Sequence, residues 1–302
     1  MTEPAIDLRA SGRGRRRLFM NRIAEGAAIG AAGAAILVLG IVIWSVGSRG
    51  IGALSVDFFT KGPALFGESG GGIAPAIVGT IVLVLIATLV ALPIGVLAAL
   101  CVSEFAPAPF ARQVKLWLDV LNGFPSIVIG IFVYTIAVKQ ALPVIGVGHH
   151  QSAIAGGVGL AVIMLPLVAR STMEVLALVP NQLREGSLAL GVSKWQTVLR
   201  VVLPTSIGGI LTGTTLAVAR AAGETAPLLF TCSIAGNIVD WNPTHSVQSI
   251  PLTIFLYSES ADPNLHEQAW AAAFILILFV LVTSLTSRLL LERSRKKMGL
   301  SR

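Results

Sequence analysis

Charge is scarce in this chain. Charged residues make up 12% of its 302 residues, about half the share found in soluble domains. A chain of this length with so few charges cannot dress the solvated surface of one or two soluble domains. Cysteine is nearly absent: Cys101 and Cys232 lie in or beside apolar runs with no CxxC spacing, which argues against a disulfide or metal framework. Of the 4 histidines, His149 and His150 are neighbours in a short loop, but without a third ligand nearby they make a poor metal site. No GxGxxG and no GxxxxGK[ST] occurs, so no nucleotide-binding loop is visible. No nucleophile–base set converges either, which disfavours a membrane enzyme; no cofactor is expected in this chain. The net charge of +7 is not arranged as a basic stripe interleaved with aromatics, so nucleic acid is not an expected partner.

What is present is hydrocarbon. The apolar share is 54%, mean hydropathy is +0.82, and the apolar residues fall in runs of about 20, the length that crosses a bilayer. Candidate spans lie at 23–46, 74–102, 116–138, 153–175, 205–231 and 269–290. The fold class is therefore all-α integral membrane, with six transmembrane helices and membrane lipid as its solvent. The run from Ile23 to Val46 follows Arg13, Arg15, Arg16 and Arg17. It is too long for a signal-peptide core and reads as a retained first helix. Ile250–Tyr257 is apolar but too short to span, and is expected to be partly buried or interfacial in a loop. Gly70-Gly71-Gly72 reads as a flexible lead-in to the second span.

Lysine and arginine set the orientation. With the N-terminus inside, the inner stretches hold Arg9, Arg13, Arg15, Arg16, Arg17, Arg22, Arg112, Lys115, Arg184, Lys194, Arg200, Arg288, Arg293, Arg295, Lys296, Lys297 and Arg302, seventeen in all; the outer stretches hold three, Arg49, Lys61 and Lys139. Both termini are thus expected in the cytoplasm. The outer loops carry acids instead: Asp57, Glu68, Asp240, Glu259, Asp262 and Glu267.

Pro93, Pro125, Pro166 and Pro227 fall within the expected spans. Each removes a backbone donor, and the freed carbonyls need partners in neighbouring helices or a watery cavity; proline is also simply commoner in spanning helices. The pairs Gly26/Gly30 and Gly209/Gly213 would let helices approach closely. Arg220 lies about 20 Å into the fifth span at 1.5 Å per residue, too deep to snorkel easily, and Glu224 follows four residues on, expected on the same helix face. An intramembrane charge marks a pathway; the competing role is a structural ion pair between helices. Arg170 follows Pro166 and is placed either to snorkel to the headgroups or to join Arg220 around an oxyanion, since guanidinium donors match phosphate or carboxylate. Glu104, Asp119 and Glu174 are expected at the interface.

Between the fourth and fifth spans, the cytoplasmic stretch 176–204 is more patterned than a plain connection. Leu183 to Pro204 fits a short amphipathic helix, a break at Gly191 and a second short helix; an interfacial helix with Lys194 and Trp195 at the headgroups is the alternative. This loop resembles the signature loop of the permease subunits of bacterial ABC importers, E-A-A-x3-G-x9-I-x-L-P. Glu185, Gly191, Leu203 and Pro204 match it, Val201 takes the Ile position, and Gly186 and Ser187 replace the usual alanines. Leu121–Gly130, Arg220–Thr231 and Gly71–Thr80 narrow the resemblance to phosphate-specific permeases, the second permease of that importer.

The resemblance implies a type I importer core over 70–290, preceded by a basic arm at 1–22 and the first span at 23–46, and followed by a basic tail at 291–302. It implies a bacterial inner-membrane subunit that forms half of a phosphate pathway. The partners would be a second, homologous permease, two copies of an ATP-binding subunit and an external phosphate-binding protein. ATP would be bound by the ATPase subunits, which would dock on the loop carrying Glu185, Gly191, Ser193, Trp195, Leu203 and Pro204. Arg220 and Arg170 would guide phosphate, with Glu224 orienting Arg220. Another oxyanion such as sulfate or molybdate, and a stand-alone anion carrier or channel, remain open alternatives.

Overall fold

The computed structural model describes residues 13–64, 70–144, 151–232 and 238–297. Arg9, Glu68, His149, His150 and Arg302 lie outside the described residues. All regular elements among the described residues are helical, and six helical stretches are long and apolar enough to cross a membrane. The chain divides into two compact units, Met1–Ser48 and Arg49–Arg302.

The first unit is the body of α1 (Arg13–Gly50). The helix begins within the arginine cluster, so the basic arm expected over 1–22 is helical from Arg13 onward. Its apolar side chains, among them Ile23, Ile29, Leu37 and Trp44, are exposed, as a lipid-facing helix requires. A side chain at Gly26 or Gly30 would meet nothing within 4 Å.

The second unit opens with a 3-10 turn (Ile51–Ala53) and a short helix, α2 (Val56–Thr60), whose N-cap Ser55 accepts from the Phe58 N–H at 3.1 Å. The triglycine segment that follows is not the loose lead-in expected. Gly70 and Gly71 take φ of 94° and 82°, which only glycine adopts cheaply. Gly72 donates to the Gly62 carbonyl at 2.8 Å, and any side chain there would strike the carbonyls of Asp57 and Phe58. The Gly70 carbonyl in turn accepts from the amides of Asn264 and Gln268.

The core is the parallel pair α3 (Ala74–Leu100) and α7 (Ala153–Ala177), the most extensive helix contact among the described residues. Small residues make it possible: Gly95 lies against Val168, and Gly157 against Ile86. In lipid, close backbone approach replaces the hydrophobic drive between helices. α10 (Leu203–Ala221) crosses α7 in the same way, with Gly209 under Val175 and Gly213 under Ser171, so the second of the expected glycine pairs is used. α13 (Pro263–Lys297) packs on α10 and on α12 (Ile250–Ser258). α12 is the apolar segment too short to span: Ile250, Pro251, Leu252 and Thr253 are buried.

The buried Ile250 N–H donates to Thr80 Oγ1 at 2.8 Å, and a side chain at Gly79 would collide with the Gln248 carbonyl. Thr80→Val therefore strands a buried donor. The expected cost is about 1–3 kcal/mol, read as a lowered unfolding midpoint in detergent; an unchanged midpoint would show that this loop does not contribute to the stability of the core.

Two spans differ from expectation, and proline explains both. The third is not one helix over 116–138. It breaks into α4 (Ala108–Gly123) and α5 (Ser126–Val133), with Phe124 and Pro125 extended. Proline lacks the N–H that would continue the helix, and it excludes its predecessor from the α region. Leu118 of α4 packs near Met173 and Leu176, toward one end of α7, whereas Ile129 of α5 packs on Ile163, near its middle. The break therefore lies beside the middle of α7. Beyond it, α5 continues through a π-helical stretch (Tyr134–Ala141) into α6 (Leu142–Val144), which packs near Ala155.

The fifth span begins earlier than 205. α9 (Lys194–Thr197) runs through a π-helical stretch (Val198–Val202) directly into α10, giving one helical run from Lys194 to Ala221. A third π-helical stretch, Cys101–Phe105, ends α3. Each of the three ends two residues before a proline: Pro107, Pro143 and Pro204. A proline ring clashes with the carbonyl four residues back, and a widened turn relieves that clash. Pro204 thus bulges the helix rather than starting a new one.

Candidate translocation site and coupling loop

The fifth span stops abruptly inside the unit. α10 ends at Ala221, residues 222–227 are non-helical, and α11 (Leu228–Thr231) resumes after Pro227. Arg220 sits in the last turn of α10, where a cation complements the helix dipole. Gly213 lies under Ser171, so Arg220, about 10 Å further along, comes level with Ile163; both line one small cavity. Arg220 and Glu224 do not share a helix face: the helix ends between them, and the pair bridges the break, with Arg220 Nε 3.9 Å from Glu224 Oε1.

The two breaks meet. A Cβ on Gly130 of α5 would come within 2.6 Å of the Pro227 Cα, so the stretches Leu121–Gly130 and Arg220–Thr231 pack directly on one another. Between them lies a cavity of about 100 Å³ lined by Asn122, Phe124, Ser126, Ile163, Arg220 and Glu224, among others. A larger cavity of about 540 Å³ opens between α7, α10 and α13; Arg170, Ser171, Glu174, Arg220 and Ser284 line it. Arg170 and Arg220 therefore share a cavity, and Arg220 belongs to both.

The two arginines differ in availability. Arg170 forms an ion pair with Asp119 of α4, and both side chains are about half exposed. Arg220 is held loosely by Glu224, and its side chain is 54% exposed against 19% for Glu224. A guanidinium fork, an amide at Asn122 and a hydroxyl at Ser126 offer donors to an anion, and Glu224 offers one acceptor.

The 176–204 loop carries α8 (Asn181–Ala189), a turn at Gly191 and α9. Gly191 has φ +78°, the left-handed conformation that favours glycine past a helix end. Ser193 opens α9, and Gln196 Oε1 accepts from its N–H at 3.3 Å and from its hydroxyl at 2.8 Å. Ser187 and Thr197 hydroxyls bond at 2.9 Å and tie the two helices together. Glu185 is exposed, and so are Leu190 at 85% and Trp195 at 55%. Leu203 is half-buried against the inner cluster that contains Val198 and Val202, and Pro204 is exposed.

Sequence reasoning missed two residues here. Arg184 passes for one more surface cation and Glu104 for an interfacial acid, yet they form an ion pair at 2.7 Å with side chains 20% and 7% exposed. They lie 80 residues apart. The available cues were that Glu104 closes an apolar run and that Arg184 adjoins the matched Glu185; neither names the other.

Six apolar spans, two of them broken around a deep arginine, define a multi-pass α-helical membrane transport component. The chain belongs to the family described as "Binding-protein-dependent transport system inner membrane component", which matches residues 91–296. It is 37% identical over 255 residues to the phosphate transport system permease protein PstA of Haemophilus influenzae, covering 84% of this chain and 87% of that one. It is 36% identical over 255 residues to the protein of the same name from Yersinia pestis, covering 84% of each. The probable PstA of the archaeon Methanocaldococcus jannaschii is 36% identical over 247 residues, covering 82% of this chain and 85% of its own. Among solved structures, a bacterial alginate ABC transporter in complex with an alginate-bound periplasmic protein aligns with TM-score 0.61 at 13% identity, over 94% of this chain and 96% of that chain. An inward-facing MetNI methionine ABC transporter aligns with TM-score 0.55 at 18% identity, over 73% and 93%. At those identities the likeness establishes the fold, that of ABC importer permeases.

Proposed function

We propose that this chain is the permease subunit of an ATP-driven phosphate importer, forming half of the translocation pathway and taking its drive through the 176–204 loop. One observation carries the anion pathway: Arg220, at the meeting of two broken spans, lines both cavities. A loosely paired guanidinium deep in the membrane is costly and attracts an anion that shares its charge. The names of the relatives supply phosphate as that anion. Arg170, partly neutralised by Asp119, assists as a weaker attractor, and Glu224 orients Arg220.

In this reading the chain binds no nucleotide. Two ATP-binding subunits hydrolyse ATP and press on α8 and α9, a second permease completes the pathway, and an external binding protein delivers phosphate to the outer loops. Both termini lie in the cytoplasm of a cell whose inner membrane holds the complex. Uptake of labelled phosphate by cells expressing the importer with and without this chain tests the substrate, with unlabelled sulfate and molybdate as competitors. Chain-dependent uptake competed by phosphate alone is expected. Competition by sulfate or molybdate at equal concentration would keep the architecture and replace the substrate.

A further inference from the structure

α8 is tied to the ends of α3 and α7 by one side chain. Pro180 follows α7 and has no N–H for the carbonyls at its end. Arg184 donates there: Nη2 to the Leu176 carbonyl at 2.9 Å, which also accepts from the Val179 N–H at 3.3 Å, and Nη1 to the Val179 carbonyl at 2.6 Å. The same guanidinium reaches across to the end of the α3 span, with Nη2 donating to Glu104 Oε1 at 2.7 Å and Nε lying 3.3 Å from both carboxylate oxygens. Next to Glu104, the Phe105 ring lies 5.5 Å from Lys194 Nζ at the start of α9. One nearly buried fork thus joins α8 to the ends of both core helices. An ammonium, a single point of charge, cannot make that set of contacts.

We propose that Arg184 and Glu104 are a positioning pair for energy coupling, a stiff strut that carries displacement of α8 into α3 and α7. This rests on the importer reading given above. The strut bears no part in binding the anion: neither residue lines the cavities around Arg220. Without it α8 keeps its tie to α9 through Ser187 and Thr197, but it can move under load while α3 and α7 stay still. ATP is then hydrolysed without transport.

The test is the ratio of phosphate moved to ATP hydrolysed, measured in vesicles holding the complete importer with Arg184→Ala, Arg184→Lys or Glu104→Gln. The amount of assembled complex is determined for each. In Arg184→Ala, uptake per complex is expected to fall about tenfold or more, the scale of losing charge-assisted bonds, while hydrolysis per complex stays within about twofold of the parent. Arg184→Lys and Glu104→Gln, which preserve part of the contact, should fall between. Uptake and hydrolysis falling together in step with assembly would make the pair a folding element and overturn the proposal, as would unchanged uptake. If Arg184→Ala does not assemble, the two milder variants decide by the same ratio, and an unaltered ratio in both overturns it. Failure of the importer reading looks different: the parent complex itself would show no ATP-dependent uptake.

Discussion

Arg220→Ala is expected to stop phosphate uptake by an importer that still assembles and still hydrolyses ATP. The guanidinium is loosely paired, and it lies at the contact of the two broken spans. Losing one charge-assisted bond to an anion costs about 1.5–3 kcal/mol, which corresponds to roughly ten- to a hundredfold in uptake. Arg220→Lys keeps the charge but not the planar fork, so partial recovery is expected, with weaker apparent affinity. Glu224→Gln separates orientation from charge. The amide can still accept from Arg220 but no longer balances it, so its defect should be milder than that of Arg220→Ala. Normal uptake by a properly inserted Arg220→Ala would remove this residue from the pathway and leave the Arg220–Glu224 pair as a structural bridge across a helix break.

The second large effect lies on the other face of the molecule. Leu190 and Trp195 flank the Gly191 turn and stand largely exposed, on the loop expected to meet the ATPase. Large aromatics at such contacts are the usual anchors, and truncating one typically costs 2 kcal/mol or more, about thirtyfold in affinity. Trp195→Ala is therefore expected to leave the permease pair intact in the membrane while the ATPase subunit no longer co-purifies. An interfacial tryptophan that sits at lipid headgroups behaves otherwise: the ATPase would stay bound, and the loss would appear in membrane insertion instead.

Much of this was legible in the chain itself, for definite reasons. Six apolar runs of about 20 residues declare six spans because a run of that length satisfies its own backbone in lipid as a helix. Arg220 declares itself because a charge inside such a run is rare. Gly191 announces a break between two short helices, and Ile250–Tyr257 a segment too short to cross. What was hidden is what depends on the third dimension. Pro125 reads as a kink in a continuous span, but its position beside the middle of α7, against the break at 222–227, appears only when α5 and α11 are packed together. Spacing placed Glu224 on the helix face of Arg220 because four residues usually mean one face; the helix ends first. Asp119 with Arg170, and Glu104 with Arg184, pair across 51 and 80 residues, and no local pattern encodes such a choice of partner. Even the π-helical stretches before Pro107, Pro143 and Pro204 follow from a clash rather than a motif, which is why Pro204 reads as a start and proves to be the interior of a longer helix.

The measurement that bears most directly on the whole account is ATP-dependent accumulation of labelled phosphate in vesicles containing the permease pair, the ATPase and the binding protein, with and without this chain. Accumulation that needs both ATP and this chain is the predicted result. Phosphate crossing through this chain without ATP or an ATPase would contradict it, and would make the 176–204 loop something other than a coupling element.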